Sequence, residues 1–393
     1  MTDDIVILDG ARTAFTEFGG SLKDWSPTML GVVAAKAALQ RSGIDPSEID
    51  DVVFGNVIQC TQDAAYLARH VGLRAGVSEE TPALTVNRLC GSGLQAMVSG
   101  AQNLLSGEAT VVLAGGAESL STAPYTVPRA RWGQTMGNMP FVDTLWSALT
   151  DAYVDTPMAI TAENLATRYG ITRQDQDAFA LRSHQRAAAA TASGRLAAEI
   201  VPIEIQTKKG PQVVSSDEHV RPDTSAEALA KLPARFRKDG SVTAGNASGM
   251  NDGAAAVIVT TARKAAERGW KPRARLVSWA TAGVDPAFMG IGPVPASQKA
   301  LKRAGLTLDQ MDVIEVNEAF AAQALSVARA LDLDPDRLNP NGGAVALGHP
   351  LAASGTRLAL TVIEELSRTN GRYGLASLCI GGGQGITAIF ERL

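Results

Sequence analysis

Apolar positions along the chain fall into two recurring patterns. Short continuous runs read as strands: Ile5-Val6-Ile7-Leu8, Val52-Val53-Phe54, Leu84-Thr85-Val86-Asn87, Val111-Val112-Leu113-Ala114 and Gly253 to Val259. The run Gly253 to Val259 suits a strand buried on both faces. The pattern returns at Val313-Ile314-Glu315-Val316 and Leu375 to Leu378. Between the runs, apolar residues are spaced for helices. Over 28–42, Leu30, Val33, Ala34, Ala37 and Ala38 share one face, and Ser42-Gly43 supplies a stop, because glycine takes the left-handed turn that ends a helix. Leu94 is followed by Met97, Val98, Ala101, Leu104 and Leu105, at offsets of 3, 4, 7, 10 and 11. Strands alternating with helices predict a layered α/β fold.

The arrangement repeats. Leu39, Arg41, Gly43 and Asp50 match Leu301, Arg303, Gly305 and Asp312, each pair 262 residues apart. Ser92-Gly93 and Ser354-Gly355 keep the same offset. A constant offset over separate segments reads as an internal duplication of one α/β unit. Between the copies the texture changes. Residues 120–248 carry Pro124, Pro128, Pro140, Pro157, Pro202, Pro211, Pro222 and Pro233, with helices expected over 159–170 and 173–193. The expected division is therefore a first half over 1–119 and 249–272, an inserted loop domain over 120–248, and a second half over 273–393. Loops on a rigid scaffold are where binding concentrates.

Composition narrows the function. Apolar residues at 45% and charged residues at 19% exclude a disordered chain. A net charge of −4 excludes a generally basic nucleic-acid surface. No apolar run reaches the ~18 residues of a membrane span. The opening Met1-Thr2-Asp3-Asp4 lacks the basic start of a leader. Three cysteines, Cys60, Cys90 and Cys379, fit a reduced compartment better than a disulfide framework, so a cytoplasmic location is expected. No metal-ligand spacing is evident.

Cys90 falls between an expected strand and an expected helix, in Cys90-Gly91-Ser92-Gly93. A helix N-terminus biases a thiol towards thiolate, and the glycines allow a sharp turn and close ligand approach. A buried, inert cysteine would look the same. His349 lies in the glycine-rich Asn341 to Pro350 loop, whereas His70, His184 and His219 have polar or charged neighbours. A base beside a thiol activates it; a histidine that merely orders the loop is the alternative. Cys379 ends a strand and enters Ile380-Gly381-Gly382-Gly383, whose N–H groups suit an oxyanion hole or simply close a hairpin. Asn317 follows a strand and either holds a water or caps the next helix.

Four segments, Val86 to Gly93, Asn317-Glu318-Ala319-Phe320, Gly348-His349-Pro350 and Cys379-Ile380-Gly381, resemble the four signatures of the thiolases, the acetyl-CoA acyltransferases. They occur in the family's order, and the resemblance runs over 4–393. It implies a duplicated fold with a five-layered αβαβα core and an inserted loop domain. It also implies a reaction: 3-oxoacyl-CoA plus CoA interconvert with acyl-CoA plus acetyl-CoA, with coenzyme A and acyl-CoA as substrates and no permanently bound cofactor.

By that resemblance Cys90 carries the acyl group, His349 accepts its proton, and Cys379 moves protons at the α-carbon. One oxyanion hole would use His349 and a water held by Asn317. The other would use the N–H groups of Cys90 and Gly381. For coenzyme A it implies Arg221 near the adenine end, Ser248 on pantetheine, and Phe236, Ala244, Ala319 and Phe320 as walls, with Met158 facing the substrate. Pro157 stands where short-chain biosynthetic members carry a histidine, which favours longer 3-oxoacyl chains. Arg131 to Leu145, with Trp132, Met136, Met139, Phe141 and Trp146, resembles the loop that joins dimers into tetramers, or else forms a lid on its own subunit. A β-ketoacyl synthase-like enzyme would share the fold but normally needs a second active-site histidine, where this chain has Cys379. A non-catalytic CoA-binding protein would have no use for the complete set of reactive groups.

Overall fold

The apolar runs become strands of one mixed sheet, and the helical stripes pack on its faces. The computed structural model describes residues 3–393; Met1 and Thr2, on which the reading of the chain's opening partly rests, lie outside the described residues. The first set of elements is β1 (Ile5–Thr13), α1 (Pro27–Ser42), β2 (Asp51–Gly55), α2 (Leu67–Ala75), β3 (Ala83–Val86), α3 (Ser92–Ser106) and β4 (Val111–Ser119). Helices α4 (Met158–Tyr169) and α5 (Arg173–Ala192) follow, then β5 (Asn251–Thr261). The second set is β6 (Ala274–Gly283), α6 (Pro293–Ala304), β7 (Met311–Val316), α7 (Ala321–Leu331), α8 (Leu351–Thr369), β8 (Tyr373–Ile380) and β9 (Gln384–Arg392).

The strand order is β7-β8-β9-β6-β1-β5-β4-β2-β3. β2 runs parallel to β4, which pairs antiparallel with β5, which pairs antiparallel with β1. β7, β8, β9 and β6 repeat these relations in the same order. The duplication is therefore a structural one. β8 and β9 are joined by residues 381–383, whereas their counterparts β4 and β5 are joined by 120–250.

Helices α1 and α2 cover one face of the first set of strands, and α6 and α7 lie against the second set. Helices α3 and α8 lie between and touch strands of both. The result is helix, strand, helix, strand, helix: five layers. Helix α8 is buried all round from Leu351 to Ile363, as a helix packed between the two sets of strands must be. Its charges are paired: Arg357 Nη1 lies 3.1 Å from Glu315 Oε2, and Glu365 Oε2 lies 3.1 Å from Arg195 Nε.

The repeated Ser-Gly step marks the place where α3 and α8 cross. A Cβ on Gly93 would sit 2.4 Å from the Ala352 carbonyl oxygen, and one on Gly355 2.4 Å from the Leu94 nitrogen. Both distances are impossible, so each helix needs glycine at its start. Helix α1 ends as its sequence predicts, at Gly43 with φ 67°, and its start is capped by Ser26, whose Oγ accepts from Met29 N–H.

Two expectations change. Strand β1 does not stop with the run Ile5 to Leu8 but continues through Asp9-Gly10 to Thr13, because a bulge between Ile7 and Gly10 absorbs the break. Within 120–248 a hairpin, Ile203–Thr207 with Gly210–Val214, was not anticipated, its short alternation being masked by Lys208-Lys209. No helix among the described residues is long and apolar enough to cross a membrane.

Candidate active site

The turn before α3 is built to present a side chain. Leu89 has φ 46°, a conformation rare for a residue with a branched side chain. Asn87 Oδ1 accepts from Leu89 N–H at 2.9 Å, while Ser92 Oγ donates to the Leu89 carbonyl at 2.7 Å and accepts from Arg88 N–H at 2.8 Å. These bonds hold the strained turn, and Cys90 follows it. A Cβ on Gly91 would stand 2.6 Å from Ile380, so glycine lets the turn approach β8, which carries Cys379.

The loop before α8 is fixed from the first set of strands. His349 N–H donates to Asn251 Oδ1 at 2.9 Å, and any side chain at Gly348 would collide with Asn251. Glu118, buried at the end of β4, accepts from Val57 N–H, Ile58 N–H, Asn56 Nδ2 and Ala352 N–H at 3.0–3.2 Å. The His349 ring has Ser354 Oγ 2.6 Å from Nδ1 and Asn317 Nδ2 3.4 Å from Nε2. Asn317 therefore does not cap α7, whose N-cap is Phe320. Asn317 Oδ1 is buried with no partner among the described residues.

Cys90, His349, Cys379 and Gly381 line one narrow space of about 70 Å³ with Met158, Ser248, Ala319 and Phe320. It adjoins a cavity of about 650 Å³ walled largely by apolar side chains, including Pro157, Phe236, Ala244, Leu145 and Trp146. Met158, Ser248, Phe320 and His349 line both. Arg221 lines neither: its half-exposed guanidinium is paired with Glu17. Trp132, Met136 and Phe141 project into solvent, so only the later part of that segment covers the cavity. Cys60 is elsewhere, its Sγ 2.9 Å from Thr122 Oγ1.

The electrostatics correct one sequence expectation. Cys90 precedes the first helical residue by two positions, and burial outweighs the helix end. Burial pushes the thiol up to about 11, although the Gly381 N–H acts in the opposite sense. Burial also pushes the Cys379 thiol upwards, with neighbouring Cys90 adding to the shift. Burial, with Arg357 adding to it, pushes the His349 imidazole down to about 3. At neutral pH the site thus holds two thiols and one neutral imidazole. None of the three carries charge until one proton moves between them or substrate arrives.

Sequence reasoning missed Glu118 and Asn251, whose only signal is a carboxylate and an amide at the polar ends of largely apolar strands. It also set aside His219, which lines the larger cavity and lies 3.2 Å from Glu17 through Nδ1, and His184, which is buried and accepts from Arg221 N–H at 3.1 Å.

Residues 5–263 match the family model "Thiolase, N-terminal domain" and residues 270–392 match "Thiolase, C-terminal domain". The chain is 54% identical over 388 residues to the mitochondrial 3-ketoacyl-CoA thiolase of Mus musculus, covering 98% of each. It is 51% identical to the beta-ketothiolase BktB of Cupriavidus necator, covering 100% of each. Human mitochondrial 3-ketoacyl-CoA thiolase superposes with a TM-score of 0.99 at 51% identity, covering 100% of both chains. The same human protein in complex with CoA superposes at 0.97, covering 100% of this chain and 98% of that one.

Proposed function

We propose the following division of labour for this chain, which belongs to the thiolase family and is an acyltransferase that uses CoA and acyl-CoA as substrates. In the cleavage direction, Cys90 passes its proton to His349 and attacks the 3-oxo carbon of 3-oxoacyl-CoA. The bond between C2 and C3 breaks, the acyl group stays on Cys90 as a thioester, and the acetyl-CoA carbanion takes a proton from Cys379. CoA thiol, giving its proton to the Cys379 thiolate, then attacks the thioester; acyl-CoA leaves and the Cys90 sulfur takes its proton back from His349. Synthesis runs the same steps backwards. His349 and a water held by Asn317 shelter one oxyanion, and the N–H groups of Cys90 and Gly381 the other.

One observation carries this reading. Two thiols and an imidazole, brought from the two halves of the duplication, line one narrow space at the end of an apolar cavity. Ser248 hydrogen-bonds pantetheine in this scheme, and Phe236, Ala244, Ala319 and Phe320 serve as its walls. Arg221 serves the adenine end once it leaves Glu17.

For the chain as a whole we assign 1–119 and 249–272 to the first half, 273–393 to the second, and 120–248 to the CoA-binding insertion. The solvent-exposed Trp132, Met136 and Phe141 support a homotetramer joined through this loop. The low, unpaired cysteine count supports a cytoplasmic location. Light scattering that reads a dimer, or fractionation that finds the chain in another compartment, would reject the corresponding assignment.

Substrate range follows from Pro157 and Met158, side by side on the cavity wall. Pro157 brings no side-chain hydrogen bond and no N–H to the wall, and Met158 is apolar and adaptable. Each extra CH₂ buried there is worth ~0.8 kcal/mol, about fourfold in specificity. The expected result is a higher kcat/KM for 3-oxoacyl-CoA of about six carbons or more than for acetoacetyl-CoA, which suits fatty acid metabolism. Pro157→His should move the preference back to the short substrate. A wild-type enzyme that turns over longer chains about tenfold more slowly than acetoacetyl-CoA would reject the assignment.

A further inference from the structure

A line of hydrogen bonds runs through the His349 ring and ends on a serine that the scheme above does not use. We propose that Ser354 is a positioning residue that holds His349 as its Nδ1–H tautomer, keeping Nε2 free to take the proton of Cys90. The proposal rests on the reading of His349 as that proton acceptor.

Ser354 lies in the first turn of α8 and is fully buried. Its Oγ is 2.6 Å from His349 Nδ1 and 3.3 Å from the Pro350 carbonyl oxygen. A hydroxyl has one proton to give, and a carbonyl can only accept. With the hydroxyl donating to Pro350, Nδ1 must carry the hydrogen that fills the 2.6 Å contact. At the other end of the ring, the Asn317 amide nitrogen, which can only donate, stands 3.4 Å from Nε2. A donor there calls for a lone pair on Nε2. Both ends of the ring select the same tautomer. Because burial keeps the imidazole neutral at pH 7, the ring has a single proton to place.

The backbone cannot make this choice. The bond from His349 N–H to Asn251 and the crowding at Gly348 fix the main chain, but they leave the ring's two nitrogens undistinguished. Ser354 and Asn317 distinguish them, and of the two Ser354 makes the shorter contact.

The internal repeat shows how the same position acquired two jobs. Ser92, 262 residues earlier and likewise in the first turn of its helix, spends its Oγ on two backbone partners, the Leu89 carbonyl and Arg88 N–H. Ser354 keeps one backbone carbonyl and gives its second bond to the imidazole. One serine closes the turn that presents Cys90, and its copy orients the base.

The test is ¹⁵N solid-state NMR on full-length, histidine-labelled enzyme at pH 7, with the His349 signals identified by their loss in His349→Asn. The expected wild-type spectrum shows a protonated Nδ1 and a bare Nε2. Ser354→Ala should mix the two tautomers and lower kcat at least about tenfold, with KM for acyl-CoA within about threefold. Ser354→Thr should restore the hydroxyl, the tautomer and most of kcat. A wild-type ring protonated on Nε2, or a Ser354→Ala enzyme with unchanged tautomer and kcat, would overturn the proposal. If Ser354→Ala does not fold, the wild-type spectrum still decides. Full-rate acylation of Cys90 in His349→Asn would instead overturn the underlying reading of His349, and it is measured on a different variant.

Discussion

Cys90→Ser is expected to abolish turnover, by on the order of a thousandfold or more, while the protein keeps its fold. The two side chains differ by one atom, and the turn that presents them is held by Asn87 and Ser92 rather than by the sulfur. A hydroxyl at this place is a far poorer nucleophile, and its proton is harder for a neutral imidazole to remove. Wild-type enzyme incubated with acyl-CoA should give an acyl adduct on the Cys90 peptide by mass spectrometry; an adduct found only on Cys379 or Cys60 would sink the assignment. The resting thiol also predicts a pH dependence. With Cys90 pushed up to about 11, the thiolate fraction grows with rising pH throughout the neutral range. Alkylation by iodoacetamide should therefore accelerate about tenfold per pH unit between about 7 and 9. A rate flat across that range would mean that the sulfur is already ionised at rest.

Cys379→Ser is expected to separate the two halves of the reaction. The variant should still take an acyl group from acyl-CoA onto Cys90, because that step needs only Cys90, His349 and an oxyanion hole. Condensation with acetyl-CoA should fall by about 10²–10⁴, the usual worth of a positioned acid/base. Cys379 is suited to this later role by its setting. It is buried against Met289 and Ala319, and both burial and the neighbouring Cys90 keep its proton on. In the proposed scheme it becomes a base only when Cys90 is acylated and no longer competes for charge. Equal loss of acylation and condensation, measured by adduct mass and by acetoacetyl-CoA formation, would show that the two thiols do not divide the work in this way.

Much of this architecture is legible in the sequence itself. Buried strands carry continuous apolar runs, so β2, β4, β5, β7 and β8 announced themselves in one dimension. The offset of 262 was legible for a steric reason: α3 and α8 cross where a Cβ on Gly93 or Gly355 would strike the other helix, so Ser-Gly stands at the start of both. The residues at the narrow space were legible as reactive types in glycine-rich turns. Strand β1 was read short because a bulge looks, in sequence, like an ending.

What the chain's linear pattern did not contain was burial and partnership across distance. Helix position argued for a resting Cys90 thiolate; the protein packed around the sulfur reverses that, since removing water costs a charge more than a nearby helix end returns. Asn317 looked equally fit to cap a helix, and its part became visible only with His349, 32 residues away, at its side. Asn251 and Glu118 reach the His349 loop from 98 and 234 residues away, and Arg221 met Glu17 across 204. Local sequence patterns record what a residue does to its own helix or strand. They carry no record of which distant group will come to rest against it, and in this protein the protonation of every reactive group depends on that.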